Sequence, residues 1–167
     1  VTERSVIYRL ARIEIEHLLG LVDDLMTVIE DADQSIDPAV ERLVPSPYPD
    51  DVEATLEFSS ATRDDLLDRR TADAAVVRRA LLPLADEAVP GPPEADQVSV
   101  SIPQHDMDAW LRTLTALRLV IATRLGITDD DEHDAADVRF GVYDWLAYRL
   151  DGLIAIADAM DEDPGPA

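Results

Sequence analysis

Cysteine is absent from the sequence. That removes disulfides, thiolate zinc sites and thiol redox chemistry together. Lysine is absent too, so all 14 basic residues are arginine. Each cation is therefore a planar fork suited to bidentate pairing with carboxylates. Histidine occurs only as His17, His105 and His133. Neither of the others stands in an HxxxH or ExxH-type relation to His133. No Gly-x-Ser-x-Gly and no Gly-rich phosphate loop occurs, and no nucleophile–base pair can be assembled. No apolar run approaches the roughly 20 residues that span a bilayer. The first 20 residues carry acids and lack the charged-then-apolar plan of a secretory signal. The expected compartment is the cytoplasm. The expectation is a chain without cofactor, metal site or catalytic residues.

Acid is what the chain has in excess. Thirty-six acids face 14 bases, for a formal net charge of −22. Phosphate contacts need clustered cations, so direct DNA binding is disfavoured. Anionic membranes are disfavoured for the same reason. The charge suits basic partner surfaces, or simply solubility. The 167 residues fit one domain. We expect residues 1–160 to form it and 161–167 to be a disordered acidic tail.

The hydrophobic pattern predicts a mostly α fold. It is a bundle of about five to six helices with one small two-stranded antiparallel β element. "SVIYRL" (5–10) and "QVSVSI" (97–102) alternate as half-buried strands do and should pair. Ile15, Leu18, Val22, Leu25 and Ile29 share one helical face, giving a helix over about 11–32. Asp37 before Pro38 reads as an N-cap and first turn of a short helix. Asp50 is expected to cap a helix through about Phe58. "TRDD" (62–65) then looks like the start of another, ending near Pro83. Pro103 opens a helix to Leu125, where Gly126 suits the left-handed position and Ile127 the apolar contact after it. The last helix covers about 138–159.

"GITDDDEHD" (126–134) is the stretch densest in carboxylates. It fails the calcium-loop spacing, since position six from Asp129 is Asp134 and position twelve is Phe140. It is expected to be an exposed connector without metal. Arg118 falls on the Leu111–Leu114–Ile121–Leu125 stripe of a helix apolar on nearly every side. A guanidinium there needs a partner, and Asp144 in "VYDWL" is the expected one, preferred over Asp151, as a structural ion pair. Asp65 and Arg69 stand i,i+4 on the 62–83 helix. Arg70 and Arg78 are eight residues apart, near two turns. The candidate partner-docking residues are Arg69, Arg70, Arg78, Arg112, Trp110 and Tyr143.

Three segments carry a family resemblance. They are "YPDDVEATLEFSSATRDDLLDRRTADAAVV", "VSIPQHDMDAWLRTLTALRLVIATRLGITDDD" and "VYDWLAYRL". Together they resemble the actinobacterial AosR-type family, long catalogued as a domain of unknown function, to about residue 157. The resemblance implies an oxidative-stress transcriptional regulator that acts on RNA polymerase through a sigma factor. It brings no catalytic residues. Without cysteine, this chain cannot use a thiol switch. Thr115-Ala116 stand where relatives commonly have Asn-Asp. A role beside Clp-type proteolysis, as an adaptor, is the first alternative, and a carboxylate-based metal enzyme the second. The oligomeric state stays open, with a homodimer among the options.

Overall fold

The computed structural model describes residues 3–45, 48, 50–86, 97–128 and 133–162. Among these residues the chain is mostly helical, with one two-stranded antiparallel sheet. Strand β1 (Ser5–Ala11) pairs with β2 (Gln97–Pro103), with Tyr8 opposite Val100 and Val6 opposite Ile102. The alternation works as expected. Tyr8, Leu10, Val100 and Ile102 are buried, while Arg9, Ser99 and Ser101 face outward.

Helix α1 (Arg12–Glu30) follows β1 directly and ends in a 3-10 turn at Asp31–Asp33. Its buried stripe is the expected Ile15, Leu18, Val22, Leu25 and Ile29. Helix α2 (Pro38–Leu43) is capped by Asp37, whose Oδ1 accepts from the Ala39 amide at 2.9 Å.

Helix α3 (Val52–Ala85) corrects the two-helix expectation for this stretch. Its 34 residues run without a break, roughly 51 Å at 1.5 Å per residue. No glycine or proline interrupts 52–82. Thr62 does not cap a new helix: it lies inside α3, and its hydroxyl donates to the Phe58 carbonyl one turn back at 2.7 Å. Pro83 sits in the last turn, where a single lost amide bond is tolerated. The cap is Asp51 rather than Asp50, accepting from Ala54 N at 3.0 Å. Leu67 is the first side chain of α3 to be buried among those described.

A 3-10 turn at Gln104–Asp106 leads into α4 (Met107–Leu125). Gly126 closes α4 at φ 71°, and the Ile127 amide reaches back to Ala122 O at 2.9 Å. This is the left-handed termination that the glycine implied. After a 3-10 turn at Val138–Phe140, α5 (Gly141–Glu162) completes the bundle. Asp161 and Glu162 are thus helical rather than part of a tail. Residues 163–167 lie outside the described residues, as does the Pro-rich 90–96 loop.

The buried cluster draws on both strands and all five α-helices. Trp110 is at its centre, edge-on to the Tyr8 ring with centroids 6.0 Å apart. Arginines fasten the helices at the margins. Arg124 grips Asp37 through two bonds of 2.8 and 2.6 Å, joining the end of α4 to the start of α2. Arg63 holds Glu41 at 2.8 Å, joining α3 to α2. Arg12 donates to the Leu84 carbonyl at 3.0 Å, satisfying one of the last-turn acceptors of α3.

Candidate partner-docking surface

Of the six residues expected to dock a partner, two are buried. Trp110 is 0% exposed and Tyr143 4% exposed. The α4 helix meets α3 and α5, and Trp110 turns toward the strands. Tyr143 packs with Ala122 and Ile127 beneath the end of α4. Both serve the interior.

The arginines divide. Arg69 and Arg70 of α3 and Arg112 of α4 line one surface cleft of about 410 Å³, with Leu66 and Ala72 as apolar wall. Arg112 is occupied: its Nε and Nη2 donate to the two oxygens of Asp73 at 2.8 and 3.0 Å. Donation to the Asp73 carboxylate pushes the Arg112 guanidinium further up, against a smaller opposing effect of burial. Arg69 and Arg70 have no ion-pair partner among the described residues, and the expected Asp65–Arg69 pair does not form. Arg78 does not join them. It turns to α1 and holds Asp23 at 2.7 Å. Eight residues rotate about 800°, some 80° past two full turns, which is enough to carry Arg78 to a different neighbour.

The expected Arg118–Asp144 pair is replaced by another arrangement. The Arg118 guanidinium lies over the Tyr143 ring, 4.5 Å from its centroid, in a cation–π contact. Asp144 instead meets His133, with Oδ1 2.6 Å from Nε2. One residue along a helix is a turn of about 100°, so Tyr143 and Asp144 cannot both face α4. His133 is correspondingly not an exposed connector residue. Its side chain is 12% exposed and is held between the rings of Phe140 and Tyr143, at 4.8 and 5.6 Å. Thr128 and Asp134 on either side of 129–132 are exposed. Asp129 to Glu132 themselves lie outside the described residues.

A polar cluster that sequence reasoning missed joins α1 to α5. Glu14 Oε1 accepts from Trp145 Nε1 at 2.6 Å and from Arg149 Nε at 2.7 Å. Its Oε2 takes the Ala11 amide at 2.8 Å and Arg149 Nη2. Burial pushes the Glu14 carboxyl up, but the bonds from Arg149, Trp145 and the Ala11 amide outweigh it and hold it below its ordinary value of 4.5. Tyr8 donates to the Arg149 carbonyl at 2.9 Å, and burial pushes its phenol up to about 12. This cluster is closed by its own bonds and holds the sheet and two helices together. The available signal was Arg149 one helical turn beyond Trp145, but nothing local ties them to Glu14.

Among the described residues, no three acidic or histidine side chains converge to hold a metal ion. Among the same residues, no helix is long and apolar enough to cross a membrane. A family model described as "Domain of unknown function (DUF2017)" matches residues 1–157. No curated protein and no solved structure matches the chain.

Proposed function

The chain belongs to the DUF2017 family, and we propose that it is a non-enzymatic regulatory protein that acts by docking on a protein partner. The observation that carries this reading is the α3–α4 cleft. A chain with 36 acids and 14 arginines offers most guanidiniums a carboxylate. Arg69 and Arg70 stand side by side without one among the described residues. Such a pair is suited to carboxylates brought by another molecule, because the guanidinium fork binds them bidentately. The ligand expected there is an acidic segment of a protein. The resemblance of the "AWLRTLTALRLVIATRLG" and "VYDWL" segments to AosR-type regulators supplies the partner's identity in this reading. It is a sigma factor, and through it RNA polymerase, in an oxidative-stress response.

The test is affinity capture with the full chain, comparing wild type with Arg69→Glu/Arg70→Glu. Wild type should retain a sigma factor or polymerase subunits. The double variant should lose them while melting like wild type, since surface substitutions that break no ion pair usually change stability by no more than about 0.5 kcal/mol. Equal retention by both proteins, or capture of neither sigma factor nor polymerase, refutes the reading.

A further inference from the structure

A second surface has the opposite character. Two hollows of about 360 and 320 Å³ meet at Leu21 and Asp24 on α1. The first lies between α1 and α4, walled by Val28, Val120 and Ile121. The second lies between α1 and α5, walled by Gly20, Val142 and Trp145. Joined, they form an apolar groove along one side of α1. The stretch from His17 to Val28 measures roughly 16 Å, about three helical turns.

Gly20 keeps this groove open, and the fold itself does not require a glycine there. A Cβ built on Gly20 would meet nothing within 4 Å. Its backbone is ordinary helix, because Gly126 is the one positive-φ glycine among the described residues. A glycine inside a helix costs roughly 1 kcal/mol relative to alanine. Neither crowding nor backbone conformation accounts for that cost. What Gly20 contributes is room on an apolar face.

The rim gives the occupant its charge. Glu16 and Asp24 line the groove and have no ion-pair partner among the described residues. The guanidinium at the far end, Arg124, is already held by both oxygens of Asp37. The free charge at the groove is therefore negative, as is the chain as a whole. We infer that this groove receives an amphipathic helix of a protein partner, apolar on one face and flanked by lysine or arginine. Helix-in-groove recognition uses anchors spaced i, i+3, i+4 and i+7, which three turns of groove accommodate. Acids at the rim favour a basic helix and raise its association rate at low salt. The groove shares no lining residue with the arginine cleft, so either surface can fail without the other.

The experiment uses the full chain and an 18-residue peptide of leucine and lysine, patterned as an amphipathic helix. Trp145 lines the groove while Trp110 is fully buried, so a shift in tryptophan emission reports occupancy. The patterned peptide should bind one to one, more weakly as salt rises. A peptide of the same composition in scrambled order should bind at least tenfold more weakly. Gly20→Leu should fill the groove, weaken the patterned peptide at least tenfold and melt no lower than wild type. Equal binding of the scrambled peptide, or of the patterned peptide to Gly20→Leu, overturns the inference. So does tighter binding of a leucine–glutamate peptide of the same pattern. A dimer in sedimentation that Gly20→Leu dissociates also overturns it, by assigning the groove to a second copy of the chain.

Discussion

Replacing Glu14 by alanine tests how the sheet, α1 and α5 are fastened together. The carboxylate accepts from Trp145, Arg149 and the Ala11 amide, and the side chains of Glu14 and Arg149 are 16% and 19% exposed. Alanine removes the acceptor and leaves the guanidinium and the indole N–H at a largely dry contact. Hydrogen bonds to charged groups contribute about 1.5–3 kcal/mol, and breaking a fully buried pair costs about 3–5 kcal/mol. Arg149 keeps a weaker bond to the Arg9 carbonyl at 3.3 Å, which argues for the lower part of that range. The expected loss is about 3 kcal/mol. At about 2–4 °C per kcal/mol for a chain of this size, the melting temperature should fall by roughly 6–12 °C. Urea unfolding and thermal melts followed by circular dichroism measure it. The pH dependence gives a second readout. The folded carboxyl binds its proton less readily than the unfolded one, so the unfolded state takes up protons first as acid is added. The Glu14 contribution is thus complete above its ordinary value of 4.5 and is lost as pH falls below it. Glu14→Gln should flatten stability against pH in that acid window. A Glu14→Ala protein that melts within about 1 °C of wild type, or a Gln variant with an unchanged acid limb, refutes the fastening argument.

Two further outcomes follow from single side chains. His133→Ala should cost about 2 kcal/mol, because it removes a side-chain hydrogen bond to Asp144 and a ring wedged between Phe140 and Tyr143; a urea midpoint unchanged from wild type would restore the exposed-connector reading. Tyr8 should stay protonated up to about pH 12, so stability should fall as pH rises from 10 toward 12, where the unfolded phenol ionises first; in Tyr8→Phe that fall should be reduced, and an identical alkaline limb would count against it.

The features legible in the sequence were those decided within a few residues. Strand alternation needed only the two-residue period, and the pairing of β1 with β2 followed from the need of a lone strand for a partner. Asp37 before Pro38 and Gly126 before Ile127 are local devices, and both act as read. The continuity of α3 was harder, because a threonine followed by acids suits both a cap and a helix interior. Its hydroxyl chose the Phe58 carbonyl. The burial of Trp110 and Tyr143 is hard to read for a different reason. An aromatic residue on a helix that is apolar all round can face core or partner, and the choice depends on neighbours distant in sequence. The Glu14–Arg149 contact spans 135 positions, with no local pattern to announce it. For Arg118 the pattern could not say that its guanidinium would lie over the Tyr143 ring while Asp144 turned to His133.

The distribution of charge, more than its total, separates the structural arginines from the candidate functional ones. A net charge of −22 means that a guanidinium placed at random has acids nearby. Arg63, Arg78, Arg112, Arg124 and Arg149 each take one and join two elements in doing so. Apart from the largely buried Arg149–Glu14 contact, surface pairs of this kind contribute little individually, about 0–1 kcal/mol, but they fix which helix faces which. Arg69 and Arg70 lie on the same helix as two of these fasteners and fasten nothing among the described residues. Their position beside Arg112, whose own charge Asp73 already answers, leaves two uncompensated cations over an apolar wall. The α1 groove is the complementary case, with two acids that make no ion pair among the described residues over an apolar floor. In each place an apolar surface borders charge of one sign that makes no ion pair among the described residues, and that is the combination a protein partner recognises.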